Sequence, residues 1–182
     1  MKSALLTIIL FFGHLLVSCI NQCGFGSQQE YFDWDGIKIT CTNSRTNQAV
    51  SSGKFDELRF DFSIQMKMIS LGSNLSSNEL MACSPVGPIT EVLVSDLLIT
   101  SSNTFQAVDK DYPPNSNLVE IFTYRGYGGN ALMIKRESFI TRDFDFSIAA
   151  KPQGTQKHDF TFQFTLEDGR VYIASIAVTL EP

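Results

Sequence analysis

The chain has 182 residues, of which 43% are hydrophobic, and 19 acidic against 14 basic side chains give it a net charge of −5. This length is sufficient for one domain with a substantial core. The acidic balance argues against nucleic acid as a partner, because phosphate binding needs a basic stripe and the sequence has none.

An export signal is predicted at the amino terminus. One positive charge, Lys2, precedes an apolar run from Ala4 to Val17, which is shorter than the about 20 residues of a membrane-spanning helix. A short apolar core behind a basic residue is typical of a cleaved secretory signal. We therefore predict that residues 1–18 are a signal peptide.

The end of this signal points to lipid attachment. Leu16-Val17-Ser18-Cys19 resembles the lipobox of bacterial lipoproteins, in which the chain is cut before the cysteine and the thiol is acylated. The resemblance implies a protein of the bacterial cell envelope, held in the outer membrane by acyl chains such as palmitate, on the periplasmic or the surface face. Ordinary signal cleavage, with Cys19 kept as a plain thiol, is the alternative.

Acylation of Cys19 would leave three cysteines, Cys23, Cys41 and Cys83, in an oxidising compartment where one disulfide is permitted. Their spacing matches no zinc-site pattern such as C-x-x-C. Cys41 lies on the apolar parity of a predicted strand, Ile37 to Thr42, and suits a buried core position. This favours a disulfide between Cys23 and Cys83, with the other pairings and the absence of a disulfide as alternatives.

Alternation of apolar and polar residues with a period of two dominates the rest of the chain. The clearest case is Arg59 to Ser70, where Phe60, Phe62 and three further apolar residues alternate with polar ones, so that one face of the strand is apolar. Weaker strands are predicted at Ile37 to Thr42, Glu91 to Thr100, Leu118 to Tyr124, Ala131 to Lys135 and Phe144 to Ala150.

A β-hairpin is predicted near the end of the chain. Phe160 to Glu167 alternates, and Asp168-Gly169 follows before a second apolar run. This dipeptide predicts a two-residue turn, which would place Phe164 opposite Ile173. The parity of the apolar residues changes after Ile173, which predicts a β-bulge in the next two residues or a final strand covered on both faces.

The fold class predicted from these runs is an all-β, antiparallel, immunoglobulin-like β-sandwich. Residues 19–30 are assigned to a lipidated linker and residues 31–182 to a single domain. Thirteen of the fifteen phenylalanines lie after the predicted signal and supply the core between the two sheets. A short helical turn is conceivable only around Asn78 to Cys83.

No catalytic residue, metal or cofactor is predicted. His14 is removed with the signal, so His158 is the single histidine of the remaining chain, and no G-x-S-x-G elbow accompanies it. We interpret His158 as a surface residue. A carboxylate-dependent hydrolase is an alternative function, and it would need two acids about 5 to 10 Å apart in a cleft.

Three pairs of aspartates stand two residues apart and could offer oxygens to calcium. They are Asp33 and Asp35, Asp109 and Asp111, and Asp143 and Asp145. The further ligands and the bidentate glutamate of a calcium loop are missing. We therefore expect no calcium site at these pairs. Asp143 and Asp145 flank Phe144 in a strand-like run, so we predict that their carboxylates face water.

Aromatic residues in predicted loops are the candidate ligand contacts. Tyr31 to Trp34 and Tyr124 to Asn130 combine rings with polar or flexible neighbours, and sugars stack on such rings. Trp34, Tyr124 and Tyr127 would then contact a glycan, which gives a carbohydrate-binding accessory lipoprotein as a second hypothesis. The alternative is that Trp34 fills the end of the sandwich and Tyr124 ends a core strand.

Three stretches carry a resemblance to a known family. They are Tyr31-Phe32-Asp33-Trp34-Asp35-Gly36-Ile37, Met81-Ala82-Cys83-Ser84-Pro85 leading into Ile99-Thr100-Ser101, and the closing hairpin from Phe160 to Thr179. Together they resemble small lipoproteins of Bacteroides-type bacteria, the domain of unknown function 5034 family. The resemblance implies a secreted β-rich domain without an assigned activity.

The leaflet is left open by the residues after Cys19. Surface-bound lipoproteins of such bacteria often carry acidic residues there, and Ile20 to Gly24 has none, which keeps the periplasmic face plausible. The resulting hypothesis is an exported, lipid-anchored envelope protein that acts as a non-enzymatic binding or structural module. Its partners would be the membrane, through the lipid, and a glycan or an envelope protein.

Overall fold

A computed structural model describes residues 31–69, 92–125, 129–136 and 143–182. The strands are β1 Tyr31–Asn43, β2 Ser52–Lys54, β3 Leu58–Ile69, β4 Val94–Ser101, β5 Phe105–Gln106, β6 Asp111–Tyr112, β7 Phe122–Tyr124, β8 Gly129–Asn130, β9 Asp143–Ile148, β10 Gln156–Leu166 and β11 Val171–Glu181. Short 3-10 helices lie at Phe55–Glu57, Val119–Ile121 and Ala131–Arg136. These described ranges contain no α-helix.

Most of the strands belong to two sheets. The first is five-stranded with the order β1-β3-β9-β7-β8, and the second is four-stranded with the order β2-β11-β10-β4. Strands β5 and β6 form a separate small hairpin. All neighbours pair in the antiparallel sense except β2 and β11, which are parallel. The prediction of an all-β, antiparallel β-sandwich is confirmed.

Phenylalanine rings from facing strands fill the space between the sheets. Phe60 and Phe62 of β3 meet Phe160 and Phe162 of β10, with ring centroids 4.9 to 5.7 Å apart. All four side chains are fully buried. Edge-to-face and tilted contacts of this kind add about 0.5–1.5 kcal/mol per pair to the burial of apolar area. The strong alternation of the sequence therefore marks the strands that form the core.

Strand β1 starts several residues before its predicted beginning and contains a β-bulge. Phe32 and Trp34 lie on one parity and Cys41 lies on the other, yet all three are buried. The pairing with β3 shifts between Trp34 and Gly36, so Asp35 is an extra residue on this strand. A bulge changes which parity faces inward, and this one lets both halves of β1 face the core.

The β10–β11 hairpin differs by one residue from its predicted register. Phe164 pairs with Tyr172, and Ile173, which was expected opposite Phe164, is 58% exposed. The ladder then continues along β11 without a shift, so the predicted bulge after Ile173 is wrong. In the observed register Ala174 and Val178 face the core.

The length of the turn explains this difference. The Leu166 carbonyl accepts a hydrogen bond from Gly169 N at 3.0 Å, and Leu166 N donates to the Arg170 carbonyl at 2.9 Å. The loop therefore contains three residues, and its last one, Gly169, has φ +86°. This is the type I turn followed by a left-handed residue, and it replaces the predicted two-residue turn.

The other predicted strands agree with the structure to different degrees. The predicted strand from Ala131 to Lys135 is wrong, because this segment is the 3-10 helix Ala131–Arg136. Asn130 Oδ1 accepts a hydrogen bond from a backbone N–H in its first turn. Ala131 and Ile134 are fully buried, and a spacing of three residues matches one 3-10 turn.

Strands β4 and β9 occupy two of the remaining predicted segments, Glu91 to Thr100 and Phe144 to Ala150. In the segment predicted from Leu118 to Tyr124, only β7 is a strand, and a 3-10 turn precedes it. The helical turn considered at Asn78 to Cys83 lies outside the described residues.

Replacement of Gly169 tests the three-residue turn. Gly169→Ala should lower the free energy of unfolding by about 1 kcal/mol, because a side chain disfavours the left-handed backbone that Gly169 adopts. Gly154→Ala is the matched control, since a Cβ there meets no atom within 4 Å and the backbone is ordinary. Urea unfolding of both variants measures the effect, and equal midpoints would contradict the assigned turn.

Candidate functional site

The two predicted ligand-contact residues that the structure describes do not form an exposed aromatic surface. Trp34 is 2% exposed and Tyr124 is 3% exposed, so neither ring offers a face to a sugar. The segment from Tyr31 to Trp34 is the first part of β1 and not a loop. Tyr127 lies outside the described residues. The structure thus agrees with the alternative in which Trp34 and Tyr124 belong to the core.

Trp34 packs where β1 passes the beginning of β11. Its ring centroid lies 5.7 Å from that of Tyr172 and 6.4 Å from that of Phe164. Its carbonyl accepts hydrogen bonds from the Tyr172 hydroxyl at 2.6 Å and from Arg170 Nη1 at 3.2 Å. These two bonds join the edge strand of one sheet to the edge of the other.

Arg170 completes this connection, and we call the group Asp33, Asp168 and Arg170 the Arg170 clamp. Arg170 donates to both carboxylate oxygens of Asp33, at 2.6 and 2.9 Å. It also donates from Nε to Asp168 at 2.7 Å. These hydrogen bonds lower the pKa of both carboxyl groups. Both carboxylate oxygens of Asp33 are thus engaged by Arg170.

The prediction that His158 is a surface residue is wrong. Its side chain is fully buried and stacks between Phe105 and Phe160 at centroid distances of 5.3 and 5.1 Å. It shares the parity of Phe160 in β10. The alternation of that strand therefore already indicated an inward side chain.

The imidazole of His158 is held in one tautomer by its neighbours. Gln156 Nε2 donates to the Gln106 carbonyl at 2.6 Å, which leaves Gln156 Oε1 as the acceptor for His158 Nε2–H at 3.1 Å. His158 Nδ1 then accepts from the Ser101 hydroxyl at 2.9 Å. Ser101 and His158 form a serine–histidine pair, but both are buried and an amide takes the place of the triad's acid. The pair therefore contributes packing and hydrogen bonds to the core and lacks the arrangement of a nucleophilic triad.

Burial should make the stability of the fold dependent on His158 protonation. Burial lowers the pKa of His158 below its ordinary value of 6.5. Above pH 6.5 the imidazole is neutral in both the folded and the unfolded state. Below pH 6.5 the unfolded chain binds a proton at His158, whereas the imidazole of the folded chain stays neutral. The free energy of unfolding should therefore fall as the pH drops from about 6.5 toward 5, by up to about 1.4 kcal/mol per pH unit.

His158→Gln removes the titrating group and keeps hydrogen-bonding atoms at the site. Urea unfolding at several pH values should give a flatter curve for this variant than for the natural chain between about pH 6.5 and 5. Parallel curves would show that His158 titrates equally in both states.

A polar groove lies on the outer face of the five-stranded sheet and is the candidate functional site. Thr40, Asp61 and Asp145 stand side by side on β1, β3 and β9. The neighbouring row consists of Lys38, Ser63 and Asp143. Together with Arg59 they line an open groove with a volume of about 360 Å³. The predicted pair Asp143 and Asp145 does project from a strand, as the alternation around Phe144 indicated.

The two central carboxylates of this groove differ in their surroundings. Asp61 lies 2.6 Å from Arg59 Nε and accepts a hydrogen bond from Thr42 Oγ1 at 2.5 Å, so both of its oxygens have partners. Asp145 has a more distant cation, Arg125 Nε at 3.8 Å. Burial raises the pKa of Asp145 and outweighs the opposite effect of the Arg125 and Arg59 charges, while the charge of Asp61 adds to the rise.

This arrangement brings acids together, as the hydrolase alternative requires, but it leaves Asp61 poorly suited to act as a base or nucleophile. The Arg59 charge beside one oxygen of Asp61 and the hydrogen bond from Thr42 to the other both reduce the basicity of this carboxylate. Within residues 31–69, 92–125, 129–136 and 143–182, no three His, Cys, Asp or Glu side chains are grouped as a metal site. The groove therefore offers hydrogen bonds and charges of both signs to a polar ligand.

Asp145 can be tested through its effect on stability. Because burial and Asp61 oppose its ionisation, Asp145→Asn should raise the free energy of unfolding near neutral pH by about 0.5 kcal/mol. Asp143→Asn, at the exposed start of β9, is the matched control and should change stability by less. Urea unfolding of the three proteins measures the effect, and a destabilised Asp145→Asn variant would contradict this electrostatic description.

The cysteines divide between described and undescribed parts of the chain. Cys19, Cys23 and Cys83 lie outside the described residues, so the predicted acylation and the predicted disulfide remain predictions. Cys41 is buried, as its parity indicated, and burial raises the pKa of its thiol to about 12. A thiol of this kind is unreactive.

Comparison with known proteins gives structural neighbours alone. No protein-family model and no curated protein matches the chain. One similar solved structure is the C-terminal domain of the Streptococcus agalactiae AgI/II polypeptide BspA. It has 10% identity and a TM-score of 0.28, and the match covers 80% of this chain and 49% of that chain.

A second similar structure is the C-terminal domain of the Streptococcus pyogenes antigen I/II-family protein AspA. It has 8% identity and a TM-score of 0.27, with 81% of this chain and 46% of that chain covered. The chain therefore spans about half the length of the structures it matches. TM-scores this low give no basis for transferring a function. In the part of the chain that the structure describes, no helix has the length and apolar character to cross a membrane.

Proposed function

We propose that this chain is an exported, lipid-anchored protein of the bacterial cell envelope and that its β-sandwich is a non-enzymatic binding or structural module. The observation that carries the proposal is the sequence Leu16-Val17-Ser18-Cys19 at the end of a short apolar run behind Lys2. The resemblance to small lipoproteins of the domain of unknown function 5034 family supports the same proposal.

The position of the domain relative to Cys19 is compatible with tethering. Strand β1 begins at Tyr31, and the residues between Cys19 and Tyr31 can span about 40 Å when extended. Such a linker lets the sandwich stand clear of lipid headgroups. Acyl chains contribute roughly 0.8 kcal/mol per buried methylene, so the folded domain needs no membrane contact of its own.

A binding or structural role is supported by the condition of the reactive side chains that the structure describes. The Ser101–His158 pair and the Cys41 thiol are buried, and Asp61 has partners at both oxygens. The polar groove around Asp61 and Asp145 is open to solvent and can exchange hydrogen bonds with a ligand. We propose this groove, rather than the aromatic residues, as the ligand-binding surface of the module.

Lipid attachment is tested by replacing the two neighbouring cysteines in turn. Cys19→Ala should abolish incorporation of radiolabelled palmitate in bacterial cells and shift the protein from the membrane fraction, because the acylated thiol is absent. Cys23→Ala is the matched control and should be labelled like the natural chain. Intact-mass measurement of the purified protein identifies the modified first residue.

Two results would contradict the proposal. One is a natural chain whose amino terminus is an unmodified Met1. The other is equal labelling of the Cys19→Ala and natural chains, which would place the acyl group elsewhere.

A further inference from the structure

In the part of the chain that the structure describes, strand β11 has an unpaired edge over most of its length. One side of β11 pairs with β10 from Val171 to Leu180. The other side pairs with β2, and this pairing covers Thr179 to Glu181 alone. Among the described residues, no strand pairs with the segment 171–178 on this side. We call this segment the β11 edge.

The hydrogen bonds at both ends show which backbone groups point outward. Arg170 O is bonded to Leu166 N on the β10 side, whereas Thr179 N donates to Ser51 O on the opposite side. Successive residues of a strand direct their N–H and C=O groups to alternate sides. The odd-numbered residues from 171 to 177 therefore present both backbone groups at the β11 edge.

The outward-facing side chains along this edge are exposed and uncharged, whereas Tyr172 on the inward parity contacts β1 through the Trp34 carbonyl. Val171 is 49% exposed and Ile173 is 58% exposed, and Ser175 and Ala177 are also exposed. No charged residue and no proline occurs from Val171 to Leu180. Natural proteins usually protect open edges with charges, prolines or bulges, and β11 has none of these along the edge.

We propose that the β11 edge pairs antiparallel with the β11 edge of a second copy of this chain, with Ala174 at the centre. In this register Val171 lies opposite Ala177 of the other copy, and Ile173 lies opposite Ser175. Each of these pairs exchanges two backbone hydrogen bonds, so the contact contains about eight. The two four-stranded sheets then become one continuous sheet.

The limits of the edge select this register and favour a second copy as the partner. Arg170 belongs to the turn and Thr179 is already bonded to Ser51, so the free backbone groups lie symmetrically about Ala174. A two-fold pairing about Ala174 uses all of them. A chain with a net charge of −5 repels its copies at most surfaces, and this uncharged strand brings no like charges together.

Sedimentation velocity of the purified full chain tests the proposal, in detergent with micelles in large excess over protein. The natural chain should dimerise as its concentration rises. Ser175→Pro removes an N–H that points to the free edge and that has no hydrogen bond among the described residues, so it should raise the dimer Kd by about tenfold or more. Ser175→Ala keeps the N–H and should dimerise like the natural chain.

A second variant keeps the test decisive if Ser175→Pro does not fold. Ile173→Lys places a charge at an exposed position of the edge, the way in which natural edges are blocked, and should also weaken dimerisation. Circular dichroism and urea unfolding check that both variants are folded. A natural chain that is monomeric at all concentrations would overturn the proposal, as would a dimer that folded Ser175→Pro and Ile173→Lys leave unchanged. Binding of an extended peptide by a monomeric chain would also overturn it and would assign the edge to a different partner.

Discussion

Aromatic packing between two facing strands determines the remainder of the molecule. Phe60 and Phe62 on β3 can meet Phe160 and Phe162 on β10 if both strands keep one parity inward over their length. Everything on the opposite parity is then turned outward. This packing turns two features toward solvent. They are the polar groove of the first sheet and the uncharged outer residues of β11.

Two local irregularities of the backbone preserve this packing where the inward-facing apolar residues change from one parity to the other. In β1 the extra residue Asp35 lets Phe32 and Trp34 share the core with Cys41. In the closing hairpin the third loop residue, Gly169, places Tyr172 opposite Phe164. Both devices are short-range, yet each is selected by the ring contacts on the far side of the core.

The sequence predicts those parts of the fold that depend on periodicity alone. Strands β3 and β10 follow directly from alternation. The alternation of β10 also indicates that His158 points inward, but a lone histidine is commonly a surface residue, and the prediction followed that general tendency. The hairpin register was missed by one residue because turn length follows from backbone hydrogen bonds at Gly169. The groove could not be predicted, since Asp61 and Asp145 become neighbours through pairing of distant strands.

The Arg170 clamp has a mechanical consequence for the lipid-anchored protein that we propose. A pull on the amino-terminal end of β1, at Tyr31, would peel β1 from β3 and break their hydrogen bonds one after another. Two residues further on, Asp33 is fastened through Arg170 to the turn of the other sheet. The clamp thereby shares the load between the two sheets, so that the strand next to the proposed anchor is reinforced where peeling would begin.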